Sequence, residues 1–153
     1  MTSHNPVHQA AYDMHHNEPK VKTQATSSPS SATVLPITVI ILTLNEEENL
    51  PDAIDSVKNL AKEVFVVDSC SVDRTVDVAL ERGVQIVQRP FTNYGDQWNW
   101  ALARLPIKTP WVLKLDADER VSGKLRQEMR TPLSGDPREN AFIVPIHLRF
   151  MGR

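Results

Sequence analysis

Past Pro36 the chain alternates short apolar runs with amphipathic stretches. "ITVIILTL" (37–44) is a continuous, β-branched run, the pattern of a strand covered on both faces. In "NEEENLPDAIDSVKNLA", Leu50, Ala53, Ile54, Val57 and Leu60 recur at helical spacing, with Asn49 placed as N-cap and Pro51 in the first turn. "EVFVVDS" (63–69) predicts a second strand. "VDRTVDVALERG" (72–83) predicts a second helix that starts near Ser71 or Asp73 and stops at Gly83. "VQIVQ" (84–88) reads as a third strand, and a helix over Gly95 to Arg104 would bury Trp98 or Trp100 with Ala101 and Leu105. "WVLKLD" (111–116) is a fourth strand. A helix after Ser122 and an extended segment, "AFIVPIHLRF" (141–150), close the pattern.

Strands alternating with helices of this length imply β-α-β units, hence an α/β fold on a mostly parallel sheet with flanking helices. Ligands of such sheets bind beyond the carboxyl ends of the strands. That rule gathers Thr43 to Glu46, Asp68 to Ser71 and Asp116 to Glu119 on one rim. Residues 1–35 show no hydrophobic period and are rich in Ser, Thr, His, Asn and Pro, so they read as a disordered tail. Residues 36–153 read as the domain. His15 and His16 lie in the tail and are taken as solvated.

Composition narrows the function classes. The 153 residues can bury one core; with 41% hydrophobic and 24% charged positions and a net charge of −2, there is no basic surface for nucleic acid. The single cysteine, Cys70, excludes an internal disulfide and suits a reducing compartment. The longest apolar stretch, Val34 to Leu44, is far short of the roughly 20 residues of a membrane helix. No basic-then-apolar N-terminal signal is seen. The expectation is a cytoplasmic protein, with attachment to the inner face of the membrane left open.

Asp68 closes the second strand, where a carboxylate can accept from a ribose hydroxyl or a base N–H. A dinucleotide site would also need G-x-G-x-x-G after the first strand, and "TLNEEEN" contains no glycine. A phosphate-cradling G-x-x-x-x-G-K-[ST] is missing too. A diphosphate could instead be held through a cation. Asp116 and Asp118, one residue apart at the end of the fourth strand, offer the hard oxygen ligands that suit Mg²⁺ or Mn²⁺.

"ITVIILTLNEEENL", "VFVVDSCSVDRTVDVA", "NYGDQWNWAL" and "WVLKLDADER", in that order, resemble the nucleotide-sugar half of the inverting family 2 glycosyltransferases with the GT-A fold. The likeness runs from about Ile37 to Arg153. "FTNYGDQWNWAL", "LDADER" and "FMGR" resemble bacterial enzymes that add a hexose to the core of lipopolysaccharide. The resemblance implies a UDP-sugar donor, a glycan or glycolipid acceptor and a divalent metal. It implies that Thr43, Leu44, Asn45, Glu46, Asp68, Ser69, Asp96, Gln97, Asp116 and Ala117 line the nucleotide site, and that Asp118 with Asp116 holds the metal. The catalytic base and acceptor site of such enzymes fall beyond Arg153, which makes the domain incomplete by this reading and leaves its catalytic residues unassigned. Asp136 and Glu139 are taken as solvated. Trp98 stands where relatives often carry a basic residue and is expected to pack.

Other readings stay open from sequence alone. Glu47 and Glu48 serve a helix N-terminus as favourable charges. Trp98, Trp100 and Trp111 fit core or strand-flanking positions, and His147 a structural one. A non-catalytic nucleotide-binding remnant is the main alternative. A nucleotidyltransferase is the other, though its first turn would ordinarily be rich in glycine and basic residues.

Overall fold

The computed structural model describes residues 34–133 and 139–147. Its strands are β1 (Leu35–Thr43), β2 (Ala61–Asp68), β3 (Gln85–Gln88) and β4 (Trp111–Asp116); its helices are α1 (Leu50–Val57), α2 (Thr75–Glu81), α3 (Tyr94–Arg104), α4 (Gly123–Glu128) and α5 (Arg130–Leu133). The strands form one sheet in the order β3-β2-β1-β4. Every neighbouring pair is parallel. The expected tail before Val34, Asp136 and the closing "FMGR" lie outside the described residues.

β1 is the central strand, and its unbroken apolar run has a direct cause in the layering. Alternate side chains leave opposite faces of a strand. Ile37, Val39 and Ile41 pack with Leu50, Ala53, Ile54 and Val57 of α1 and with Val78 and Ala79 of α2. Ile40 packs the other way, with Phe65, Val67 and Ala101 of α3. Both faces are therefore covered, and Thr38, a polar residue inside the run, is buried against Glu63 and Thr109. β4 splits in the same manner: Trp111, Leu113 and Leu115 join the α1 side, while Lys114 and Asp116 reach side chains of α3 on the other.

Several boundaries differ from the sequence-based expectation. β1 starts at Leu35, which is buried and pairs with Ala61, so the domain takes in the last residue assigned to the tail. Asn49 does not cap α1: its backbone is helical (φ −91°, ψ −39°) and its side chain donates to Glu46 Oε2 at 2.9 Å. The helix is entered instead through a turn in which the Asn49 and Leu50 amides donate to the Glu46 carbonyl. At α2 the Asp73 carboxylate accepts from the Thr75 amide and hydroxyl, and Gly83 closes the helix at φ +68°, a conformation that favours glycine. In α3 the fully buried positions are Gln97 and Ala101, and the tryptophans are only partly covered. Among the described residues, 139–147 add no strand to the sheet.

Candidate functional site

The strand order reverses between β1 and β4, the crevice where open parallel sheets bind ligands. Leu42 pairs with Asp116 on one side of β1, and Thr43 with Asp68 on the other. The two aspartates therefore flank β1 at the carboxyl end of the sheet, one residue out of level with each other.

Asp68 is fully buried. Its Oδ1 accepts from the Thr43 hydroxyl at 2.9 Å and from the Ser71 hydroxyl at 2.5 Å. Its Oδ2 accepts from the Ser71 amide at 2.8 Å and the Gln88 amide nitrogen at 2.9 Å. Burial pushes its pKa up, but the bonds from Ser71, Gln88 and Thr43 outweigh that and hold it below its ordinary value. Four protein donors fill the lone-pair positions of a carboxylate. Its own loop and Gln88 therefore occupy Asp68, so a base N–H could be accepted only in place of one of these donors.

That loop and the one after β1 are bound to each other. The Ser69 amide donates to the Thr43 carbonyl, the Asn45 amide to Ser71 Oγ, the Glu46 amide to Thr75 Oγ1 and the Glu47 amide to Asp73. In return the Val72 amide donates to Asn45 Oδ1 and the Arg74 amide to Glu47 Oε2. Asn45 (φ +55°) and Cys70 (φ +65°) are both left-handed. Asparagine adopts that region readily; for cysteine it costs about 1–2 kcal/mol. The strain sits at the rim, where functional sites hold it. Leu44 is half exposed at the tip.

A second cluster lies beyond β3. Arg89, whose amide donates to the Asp68 carbonyl, sends one guanidinium nitrogen to Gln97 Oε1 at 2.6 Å and another to Asp96 Oδ2 at 2.5 Å. It also stacks over Trp100. Gln97 Nε2 reaches Ser69 Oγ at 3.4 Å. Asn93 caps α3 by accepting from the Asp96 amide at 2.9 Å. Asp96, Gln97 and Ser69 are thereby joined to the Asp68 loop through one arginine.

At the end of β4, Asp116 Oδ1 accepts from the Tyr94 hydroxyl at 2.9 Å, and the Asp116 amide donates to Glu119 Oε2 at 3.0 Å. A turn follows, closed by the Glu119 amide on the Asp116 carbonyl. Ala117 is buried in it, while Asp118 is exposed and forms no ion pair or hydrogen bond among the described residues. Arg120 donates to the Ala117 and Glu119 carbonyls and pairs with Asp52. Tyr94 holds the Lys114 pKa above its ordinary value, with Asp116 and Glu119 adding to the effect over a smaller desolvation penalty. Among the described residues, no three His, Cys, Asp or Glu side chains converge to form a metal cage.

The residues expected to line the nucleotide and metal sites lie at the carboxyl ends of β1, β2 and β4 and at the start of α3, in separate roles. Thr43, Asn45, Asp68 and Ser69 belong to the clasped loops, Asp96 and Gln97 to the arginine cluster, and Asp116 to Asp118 to the β4 turn. Ser71 was placed on the rim without a role, and Gln88, Arg89, Tyr94 and Lys114 were not singled out. Ser71 had a local signal, three residues after an aspartate, the spacing of a side-chain-to-backbone turn. The others depend on packing between distant segments.

The family model "Glycosyl transferase family 2" matches residues 38–147. The chain belongs to that family. An uncharacterized glycosyltransferase of Rickettsia bellii is 37% identical over 117 residues, covering 76% of this chain and 39% of its own length. The lipopolysaccharide core biosynthesis glycosyltransferase LpsC of Rhizobium meliloti is 35% identical over 98 residues, covering 61% of this chain and 35% of its own. Among solved structures, glucosyl-3-phosphoglycerate synthase of Mycobacterium tuberculosis in complex with uridine diphosphate superposes with a TM-score of 0.54 at 26% identity, covering 67% of this chain and 41% of that one. This family 2 chain thus spans about two fifths of the length of these relatives. Its all-parallel sheet with flanking helices agrees with the GT-A expectation.

Proposed function

We propose that the rim binds a nucleotide-sugar donor, a UDP-hexose, as the donor part of an enzyme that transfers the sugar to a cell-envelope glycan such as the lipopolysaccharide core. What supports this reading is the strand register, with Asp116 ending β4 and Asp68 ending β2 on either side of β1, next to the sheet's switch point, in a family 2 domain. The uridine diphosphate bound to the M. tuberculosis synthase supports the choice of base. LpsC supports the choice of acceptor.

Asp118 and the second oxygen of Asp116 suit Mg²⁺ or Mn²⁺. Asp118 is exposed and unpartnered among the described residues, both groups are hard oxygen donors, and such ions complete their shell with water and substrate phosphates rather than a protein cage. When bound, the ion supplies charge stabilisation for the departing nucleoside diphosphate. Tyr94 keeps the Asp116 carboxylate oriented through Oδ1. Asp68 takes the uracil N–H once the Ser71 hydroxyl turns away, and Gln97, held by Arg89, stays near the base. An acceptor hydroxyl would attack the anomeric carbon from the face opposite the leaving group, breaking its bond to the nucleoside diphosphate and giving its proton to a carboxylate base to which none of the residues above is assigned. The working place of the enzyme is the cytoplasmic side of the cell, with peripheral contact to the inner face of the membrane for a glycolipid acceptor; no helix of the described residues is long and apolar enough to cross a membrane.

Calorimetric titration of the full chain with UDP, with and without Mn²⁺, tests the site. Saturable binding that tightens with Mn²⁺ is expected, and no binding under either condition would overturn the proposal. A sugar-transfer assay then separates an enzyme from a nucleotide-binding remnant.

A further inference from the structure

The carboxylates Asp116, Asp118 and Glu119 crowd one corner of the rim, so a nucleoside diphosphate placed there meets repulsion that positive charge has to offset. The cations around the rim are mostly committed. Arg89 is bonded to Asp96 and Gln97. Arg120 is held by Asp52 and by the Ala117 and Glu119 carbonyls. Arg74 pairs with Asp77 and Glu81. Lys114 differs from all three: it forms no ion pair among the described residues. Its Nζ lies 4.4 Å from the centroid of the Tyr94 ring and 5.6 Å from that of Trp98.

Lys114 leaves β4 on the same face as Asp116, two residues earlier, and Tyr94 joins the two. Its ring carries the ammonium, while its hydroxyl donates to Asp116 Oδ1 at 2.9 Å. Tyr94 is 44% exposed, so this corner is open to a ligand. The two rings hold the cation, and among the described residues it forms no ion pair, so its charge is positioned without a carboxylate bound to it. Holding the flexible lysine stem against two rings also lowers the entropy lost when an anion is bound.

We propose that Lys114, poised on Tyr94 and Trp98, binds the phosphate oxygens of the nucleoside diphosphate and so sets the preference for a diphosphate over a bare nucleoside. This rests on the nucleotide site proposed above. The residue acts on the donor's charge from β4, on the side of the Asp116 carboxylate facing α3.

The test is titration of the full chain with uridine and with UDP, in Mn²⁺, for the natural protein and for Lys114→Met, Lys114→Gln and Lys114→Arg, with thermal unfolding to show that each is folded. The neutral variants are expected to weaken UDP about tenfold, the loss of one charge-assisted hydrogen bond, and to leave uridine unchanged. Lys114→Arg is expected to recover most of the UDP affinity. If folded neutral variants bind UDP as the natural chain does, the role of Lys114 is overturned while the site stands. Equal loss of uridine and UDP also overturns it, since the lysine then only supports the pocket. A natural chain that binds no UDP overturns the site itself, and the lysine's role with it.

Discussion

Thr43 and Asp68 are partners in the β1–β2 ladder, and the Thr43 hydroxyl donates to Asp68 Oδ1 at 2.9 Å across it. The strand register thus places a buried carboxylate against its first donor, and the Ser71 turn and Gln88 complete its shell. A buried charge is tolerated when it is hydrogen-bonded in this way.

Asp68→Asn keeps the size but puts a donor where two donors already point. The expected cost is about 3 kcal/mol of folding stability, from an unsatisfied buried group and lost charge-assisted bonds. Thr43→Val removes one bond and should cost about 1 kcal/mol. Urea unfolding of the two variants checks the order; equal costs would show that Asp68 does not depend on its full set of donors.

Acid should weaken the fold through the same group. The folded pKa of Asp68 lies below its ordinary value of 3.8. Asp73 is lowered from 3.8 by its Thr75 bonds, which outweigh desolvation. Glu63 is lowered from 4.5 chiefly by the Lys108 amide and the Thr38 hydroxyl. Above these ordinary values both folded and unfolded chains are ionised and the stabilisation is complete. As pH falls through them, the unfolded chain takes up protons first and the stabilisation is lost. Unfolding midpoints measured between pH 7 and 3 should be flat at first and drop below about pH 4.5, less steeply in Asp68→Asn.

The left-handed backbone at Cys70 gives a backbone-specific prediction. Its side chain is exposed, so Cys70→Ala should be nearly neutral. Cys70→Val should be less stable than Cys70→Ala by about 1–2 kcal/mol, since a β-branched residue fits φ +65° poorly. Equal unfolding midpoints would argue against the strained turn.

Asp118→Ala removes an exposed carboxylate without partners among the described residues, so its stability should match the natural chain within about 0.5 kcal/mol. UDP titration of this variant should lose its response to Mn²⁺ and to chelator. A response equal to that of the natural chain would remove Asp118 from the metal site.

Much of this layout was legible along the chain because its causes are local. The β-branched run after Pro36 reads as a strand covered on both faces, and β1 is one. Asn49 misled because Glu46 starts the turn with its backbone carbonyl, which carries no residue-type signature. Asp116 and Asp118 were both read at the end of the fourth strand, but β4 ends at Asp116 and Asp118 falls in the turn. Gln97 looked like a rim group, yet it is fully buried because Arg89, eight residues earlier, reaches over to satisfy it. Tyr94 and Lys114 meet only once α3 has packed on β4, contact between segments that no periodicity records.

The Ser71 hydroxyl accepts from the Asn45 amide and donates to Asp68. A ligand that draws this one oxygen away from the aspartate disturbs the amide behind it as well, so the two loops respond as a single latch. Asn45→Ala frees the Val72 amide from Asn45 Oδ1 and Ser71→Ala frees the Asn45 amide, so in a double-mutant cycle the two should be non-additive, the second costing less once the first has loosened the same pair of loops.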